Sequence, residues 1–176
     1  ALMEHNLSKV KEVGARTIVF TCPSCYHTWK HLYQPEVKLL HASQMLNDLI
    51  KDGKVALKEK KIKVTYHDPC DLGRNSGVFE EPRQVLKAIP GLTLVELAGN
   101  RQLSTCCGGG GNVEMVNPEL SAKVASMKLE QIAQTGADMV VSSCQQCLRT
   151  IATRAKRQKM DLIVKDLTEM VFEAMQ

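Results

Sequence analysis

Two kinds of hydrophobic pattern alternate along this chain. Apolar residues that recur every three or four positions predict helices, and short apolar runs bounded by Gly, Pro or Asn predict strands. The pattern predicts helices over residues 2–13, 24–33, 42–52, 81–89, 118–134, 145–158 and 166–175. It predicts strands over residues 16–21, 62–67, 92–97 and 138–142. Strands that alternate with helices are typical of an α/β fold, in which right-handed βαβ units form a parallel sheet.

Part of this pattern occurs twice. The segment Gly14–Cys25 aligns with Gly136–Cys147 at a constant offset of 122 residues, and both segments end in a Cys-x-x-Cys pair. Further on, Leu40–Leu46 aligns with Val164–Met170 at an offset of 124. The second copy has cysteines upstream that have no counterpart in the first. We therefore expect two pseudo-repeats of one supersecondary unit, the first incomplete, in a fragment of a longer polypeptide or one processed to this length.

Composition narrows the possible functions. The 176 residues are 44% hydrophobic and 24% charged, the balance of a globular chain that can bury a core. No apolar run approaches the roughly 20 residues that cross a bilayer, and we expect a cytoplasmic location. The net charge of +4 is dispersed, and three Phe, three Tyr and one Trp offer little for base stacking. We therefore expect no nucleic-acid partner.

Seven cysteines carry the strongest chemical signal. They stand at positions 22, 25, 70, 106, 107, 144 and 147. An odd number in such a chain favours metal or redox chemistry over a disulfide framework. Each cysteine group of the second copy follows a predicted strand, and ligands of open α/β sheets bind at the carboxyl ends of strands. We expect these groups to converge on one face: Cys70, Cys106, Cys107, Cys144 and Cys147.

The surroundings of these cysteines indicate what they bind. A Cys-x-x-Cys pair at a helix start points its thiolates at free backbone N–H groups, which favours metal binding. The run Gly108–Gly111 permits positive φ and lets backbone amides approach a bulky anionic group. Five thiols exceed the four ligands of Zn²⁺ or of a cubane cluster. A larger iron–sulfur cluster is the first interpretation, zinc the second and thiol redox chemistry the third.

Three segments of the chain resemble a known family. Tyr66–Arg74, Cys106–Gly111 and Ser143–Cys147 resemble the CCG, or cysteine-rich, domain found in the B and D subunits of heterodisulfide reductases and in related iron–sulfur oxidoreductase subunits. The resemblance covers essentially the whole chain. It assigns residues 1–55 to the C-terminal half of a first, truncated CCG repeat. Residues 62–176 are assigned to a complete second repeat that binds the cluster.

This resemblance implies a cofactor, a site and a reaction. The cofactor is a non-cubane [4Fe–4S] cluster in an oxidoreductase subunit that reduces a disulfide or related sulfur substrate within a larger complex. Its implied ligands and contacts are Cys70, Cys106, Cys107, Cys144 and Cys147 as the metal-binding thiolates, with Gly108 and Gly109 in the cluster-binding loop. The alternatives are an electron-transfer subunit of a 2-hydroxy acid or glycerol-3-phosphate dehydrogenase complex, and a structural zinc domain.

The same resemblance implies partners. They are a ferredoxin-like iron–sulfur module or subunit and a flavoprotein or cytochrome-b-like membrane subunit. A membrane partner would place the chain at the cytoplasmic membrane as a peripheral component.

His67 is the candidate catalytic residue. A histidine at the mouth of the site could protonate a leaving thiolate, because imidazole is the side chain that ordinarily exchanges protons near neutral pH. Alternatively, His67 and Asp68 cap a turn and fix the end of the strand.

The remaining histidines and cysteines offer weaker signals. We expect His27, His31 and His41 to lie on solvated helix faces, because their spacing from the first Cys-x-x-Cys pair does not match a zinc finger. Cys22 and Cys25 could form a disulfide, a free thiol pair or a zinc site.

Overall fold

Six short strands, all paired in parallel, organise the structure, a computed structural model that describes residues 1–176. The strands are β1 (Thr17–Phe20), β2 (Lys38–His41), β3 (Ile62–His67), β4 (Leu92–Leu94), β5 (Met139–Ser142) and β6 (Ile163–Asp166). β1 and β2 form a two-stranded sheet, and the other four form a sheet of order β4-β3-β5-β6. Helices connect the parallel strands, so the predicted α/β class with βαβ units is confirmed.

Eight α-helices accompany these strands. They are α1 (Leu2–Glu12), α2 (Pro23–Thr28), α3 (Ala42–Lys51), α4 (Glu80–Lys87), α5 (Val113–Val116), α6 (Pro118–Gln134), α7 (Gln145–Arg157) and α8 (Leu167–Met175). The start of α6 follows the sequence closely, since Pro118 occupies the first turn and the Asn117 side chain accepts a hydrogen bond from the Leu120 N–H at 3.0 Å.

The four-stranded sheet lies between two layers of helices. On one face, Val64 and Tyr66 of β3 pack with Met139 and Val141 of β5 against α4 and α8. On the other face, Val140 packs against α6 and α7. This alternation is the period of a β-strand that is buried on both sides. The helices therefore leave the ends of the strands as the place where a ligand can reach the sheet.

Four local predictions differ from the structure. β2 and β6 were not expected, because each has only four residues, includes a lysine and keeps its first residue exposed. The predicted strand over residues 92–97 ends at Leu94. The predicted helix over residues 24–33 divides at Thr28, where α2 gives way to a π-helix over Trp29–Tyr33.

Matching helix caps relate the two halves of the chain. His41 at the start of α3 accepts a hydrogen bond from the Ser43 N–H at 3.2 Å, and Asp166 at the start of α8 accepts one from the Thr168 N–H at 2.8 Å. Both caps are completed by a side chain three residues later. His41 and Asp166 are 125 positions apart, so the offset of 124 from the sequence is wrong by one residue.

The segment that follows β1 contacts the loops that carry the cysteines. Ser24 Oγ donates a hydrogen bond to Asp71 Oδ2 at 2.5 Å, next to Cys70. Gln145 Nε2, next to Cys144, donates to the Thr21 carbonyl at 3.1 Å. The first half of the chain therefore supports the cysteine loops of the second.

His41 lies in the interior between these halves. Its side chain is 1% exposed and its ring packs edge-on against Tyr26 at 6.2 Å between centroids. The prediction of a solvated helix face is therefore wrong for His41, whereas His31 is exposed and His27 is half-buried. The helix pattern could not reveal this burial, because His41 precedes α3 as its cap. Burial lowers the pKa of His41 to about 4.

This pKa predicts a loss of stability in mild acid. An unfolded histidine has a pKa near 6.5. Between about pH 6.5 and 4, residue 41 is therefore protonated in the unfolded chain but not in the native chain. The free energy of unfolding should fall by up to about 3 kcal/mol across that window. His41→Asn, which can still cap α3, should flatten the change, as measured by urea unfolding of metal-free protein between pH 4.5 and 7.5. An unchanged pH dependence in this variant would exclude His41 as its source.

Candidate metal centre

A cavity of about 520 Å³ opens at the carboxyl ends of β3 and β5. All five cysteines of the second copy line it: Cys70, Cys106, Cys107, Cys144 and Cys147. The structure thus brings together residues that are up to 77 positions apart in the sequence. The parallel strands cause this, because their carboxyl ends meet at one edge of the sheet.

Different elements place each cysteine. Cys70 follows β3 after two residues, and Cys106 and Cys107 lie in the loop that precedes α5. Cys144 caps α7, and Cys147 lies in the first turn of that helix. Cys107 and Cys147 are buried, each 4% exposed, whereas the other three thiols are more accessible. The set therefore has an interior pair and an outer rim.

His67 joins the interior pair of thiols. It is the last residue of β3, is 1% exposed, and lines the same cavity. One ligand atom each from His67, Cys107 and Cys147 lie within 4.8 Å of one another. Its Nδ1 atom is buried and has no hydrogen-bond partner in the protein. Three buried donors this close together form a group that can bind a metal ion.

Protons are shared unevenly among the thiols. Hydrogen bonds from the Cys106 and Cys147 thiols lower the pKa of Cys107 far below its usual range, and the same bonds raise the pKa of both donors. When its one proton is donated to Cys144 instead, Cys147 together with the backbone N–H groups of Cys147 and Gln146 lowers the pKa of Cys144 to about 7. Negative charge therefore concentrates on Cys107. A metal that binds all the sulfurs must displace the remaining protons.

Backbone N–H groups of the glycine run point at the sulfurs. The Gly108 N–H lies 3.2 Å from Cys106 Sγ, and the Gly109 N–H donates to Cys107 and lowers its pKa. Such bonds stabilise negative charge on a sulfur ligand. Gly108 and Gly109 were predicted as part of the binding loop, and the structure places both beside the cysteine pair.

The four glycines have two different kinds of surroundings. A Cβ atom on Gly108, at φ +94°, would lie 2.6 Å from the Ser121 carbonyl oxygen, and one on Gly109 would lie 1.9 Å from Thr150 Oγ1. These two positions must be bare because α6 and α7 pack against the loop. Gly110 and Gly111 have nothing within 4 Å of a Cβ position and line the cavity. The sequence pattern was interpreted as a loop whose bare backbone can approach a ligand closely. That interpretation suits Gly110 and Gly111 best.

A buried ion pair fixes two of the cysteine loops. Both oxygens of Asp68 accept hydrogen bonds from Arg83, at 2.7 and 2.8 Å, and Asp68 Oδ2 also accepts the Arg101 N–H at 2.8 Å. Ser104 Oγ donates to the Asp68 carbonyl at 3.2 Å. The segment before Cys70 is thereby tied to the segment before Cys106. These contacts agree with the alternative interpretation that Asp68 fixes the end of the strand.

Arg83 was not among the residues predicted from the sequence. It lies in a predicted helix among charged residues, where arginine is usually solvated, yet it is 0% exposed. Its guanidinium also binds Glu96 at 2.7 Å and stacks over Tyr66 at 5.2 Å. No sequence signal marked it, because its partners are distant along the chain.

Cys22 and Cys25 lie outside the five-cysteine cavity. Both are free thiols, and the Cys25 N–H lies 3.4 Å from Cys22 Sγ at the start of α2. The residues between them, Pro23 and Ser24, do line the cavity. The first Cys-x-x-Cys motif therefore contributes part of the cavity wall, whereas its two cysteines do not line the cavity.

Sequence comparison identifies the family. A family model described as the CCG cysteine-rich domain matches residues 1–30 and 64–152, well over half of the chain. The matched ranges include all seven cysteines. The chain belongs to the CCG cysteine-rich domain family.

Curated relatives of this CCG chain are oxidoreductase proteins. It is 37% identical over 182 residues to the D subunit of the dihydromethanophenazine:CoB–CoM heterodisulfide reductase of Methanosarcina mazei, across 99% of the chain and 44% of that relative. It is 34% identical to the B subunit of a fumarate reductase (CoM/CoB) of Methanothermobacter marburgensis, across 97% of the chain and 34% of that relative. A probable iron–sulfur-binding oxidoreductase of Bacillus subtilis is 30% identical, across 98% of the chain and 25% of that protein.

These relatives agree on the class of protein. They are iron–sulfur oxidoreductases or subunits of oxidoreductase complexes, as the resemblance in the sequence implied. The CCG chain spans less than half the length of each. None of its helices combines the length and hydropathy of a membrane span.

The Asp68–Arg83 pair should contribute strongly to stability. Asp68→Asn removes the negative charge and leaves Arg83 buried with only Glu96 to balance it, which should lower the free energy of unfolding by about 3 kcal/mol. Glu12→Gln, which breaks an exposed ion pair with Lys9, is the matched control and should change it by less than about 1 kcal/mol. Urea unfolding of the metal-free variants measures both. Equal effects would show that the buried pair does not organise the site.

Proposed function

We propose that this CCG chain is the cluster-binding part of an iron–sulfur oxidoreductase subunit that reduces a disulfide or related sulfur substrate. The observation that supports this most is the set of five cysteines that line one open cavity. One tetrahedral ion uses four ligands, so a five-sulfur set suits a larger cluster. The cavity also has room beside the sulfurs, which a reaction with an external substrate requires.

The donor set fits a non-cubane [4Fe–4S] cluster. The five thiolates would hold it: Cys70, Cys106, Cys107, Cys144 and Cys147. Gly108 and Gly109 would donate backbone N–H groups to the ligand sulfurs, and Gly110 and Gly111 leave the cavity wall free of side chains. When bound, such a cluster supplies electrons one at a time to a sulfur substrate.

The side chains of the cavity would manage protons. Reduction of a disulfide consumes two electrons and two protons and releases two thiols. His67 is the one histidine in the cavity lining, so its ring would carry a proton for the leaving thiolate. The electrons would come from a ferredoxin-like module, a flavoprotein or a cytochrome-b-like partner. The last of these would place the chain at the cytoplasmic face of a membrane.

This proposal divides the chain into two repeats. Residues 1–55 would be the C-terminal half of a first CCG repeat, and residues 62–176 a complete second one. The order of elements supports the division, because α1, β1, α2, β2 and α3 follow one another as α6, β5, α7, β6 and α8 do. Only the second repeat has upstream cysteines, so only its cavity would hold the cluster.

A structural zinc site is the second candidate. It is favoured by the buried group of His67, Cys107 and Cys147, whose ligand atoms lie within 4.8 Å of one another. Imidazole nitrogen and thiolate sulfur are the usual ligands of zinc. In this alternative His67 would be a ligand rather than a proton carrier.

Anaerobic reconstitution with iron and sulfide distinguishes the candidates. A [4Fe–4S] cluster predicts about four iron and four acid-labile sulfide per chain. Cys107→Ser should lower both, Cys22→Ser should leave both unchanged, and His67→Gln should retain the iron. His67→Gln should also slow the reoxidation of the reduced protein by a small disulfide by about 10²–10⁴-fold.

Two results would contradict the proposal. Zinc without sulfide, lost in His67→Gln, would establish the zinc site. A full cluster in Cys107→Ser would show that the five cysteines do not act as one set.

A further inference from the structure

Lys128 is a buried lysine without an acidic partner. Its side chain is 1% exposed, and its Nζ atom makes one hydrogen bond, to Oε1 of Gln131 at 2.9 Å. No carboxylate lies within ion-pair distance of this Nζ atom. An ammonium group taken out of water is costly unless a negative group balances it. Because the fold nevertheless buries this ammonium group, a negative group that balances its charge is expected close to it.

The face of α6 that carries Lys128 packs against the cysteine loop. A Cβ atom on Gly108 would lie 2.6 Å from the Ser121 carbonyl and 3.0 Å from the Ala125 nitrogen. Lys128 follows Ala125 by three residues and therefore lies on the same side of the helix. The hydrogen-bond partner of Lys128 connects to this loop as well, since Gln131 accepts a hydrogen bond from Thr105 Oγ1 at 2.9 Å.

Cys107 is the negative group with the largest effect on Lys128. Burial lowers the pKa of Lys128 to about 8, and the charges that oppose this most are those of Cys107 and then Asp68. Asp68 is already bound to Arg83 through both of its oxygens. The metal centre is therefore the negative group left for Lys128 to balance.

We propose that Lys128 is the buried counter-cation of the metal centre. Its positive charge offsets the negative charge of thiolate-bound metal, which strengthens metal binding and raises the reduction potential of a cluster. Part of this inference, the potential, rests on the proposed function. The effect on binding does not, because a Zn²⁺ ion bound by three or more of the five thiolates also carries excess negative charge. Lys128 is a positioning charge and takes no part in the reaction itself.

Three variants test the proposal. Lys128→Met removes the charge and keeps the length of the side chain, whereas Lys128→Arg restores the charge. Lys123→Met removes an exposed lysine from the same helix and is the matched control. In reconstituted protein, Lys128→Met should shift the midpoint potential to more negative values in a redox titration. Lys128→Arg and Lys123→Met should remain close to the wild type.

Zinc binding provides a readout that does not depend on a cluster. Chelator competition on anaerobic, metal-free chain should show Zn²⁺ held about tenfold or more weakly by Lys128→Met, and unchanged by Lys123→Met. The metal-free Lys128→Met variant should also unfold at a higher urea concentration than the wild type, because the desolvation cost of the buried ammonium group outweighs the attraction of the nearby charges. A lysine needed only for the fold would give the opposite shift.

The outcomes separate this inference from the proposed function. If the chain binds zinc but assembles no cluster, the proposed function fails while the zinc comparison still decides the role of Lys128. Unchanged zinc affinity in Lys128→Met overturns the inference, as does a lower urea midpoint or a failure to fold. A wild-type chain that binds neither zinc nor a cluster overturns both.

Discussion

The buried ion pair between Asp68 and Arg83 is the interaction on which the metal centre depends. Asp68 lies between His67 and the loop of Cys70, and its bonds to Arg101 and Ser104 reach the segment that leads to Cys106. These bonds hold the loop of Cys70 and the loop of Cys106 in a fixed position relative to each other. Arg83 is fully enclosed, so removing Asp68 would leave it, at a cost in stability, with the partly exposed Glu96 as its one ion-pair partner. This cost gives the loops a defined position in the metal-free chain.

Helix packing sets the rest of the geometry. The parallel sheet brings its strand ends to one edge, and α6 and α7 close on the glycine run until only bare backbone fits at Gly108 and Gly109. Gly110 and Gly111 remain free on the cavity side. The start of α2 adds Pro23 and Ser24 to the wall. A rigid frame on three sides and an open fourth side make a site that can hold a large anionic group and still admit a substrate.

The sequence could predict the cysteines but not their support. The convergence of Cys70 with the Cys-x-x-Cys pair at Cys144 could be predicted, because both follow parallel strands whose carboxyl ends meet at one edge. Cys106 and Cys107 lie well past the end of β4 and are placed by the loop contacts to Asp68. The burial of Arg83, His41 and Lys128 could not be predicted, since polar residues in or beside helical patterns are usually solvated. Only the fold shows which segments cover them, such as Asp68 and Glu96 around Arg83 and Tyr26 beside His41. β2 and β6 were missed because four residues are too few to establish a period.

The most direct test of the account is to locate the metal. Anaerobic crystals of the reconstituted chain, measured at the iron absorption edge, should show anomalous density among the five sulfurs at the ends of β3 and β5. The density should lie beside Gly110 and Gly111 and be absent from Cys22 and Cys25. Iron at the first Cys-x-x-Cys pair, or a single zinc ion bound by His67, Cys107 and Cys147, would contradict the central claim that five cysteines form one cluster site.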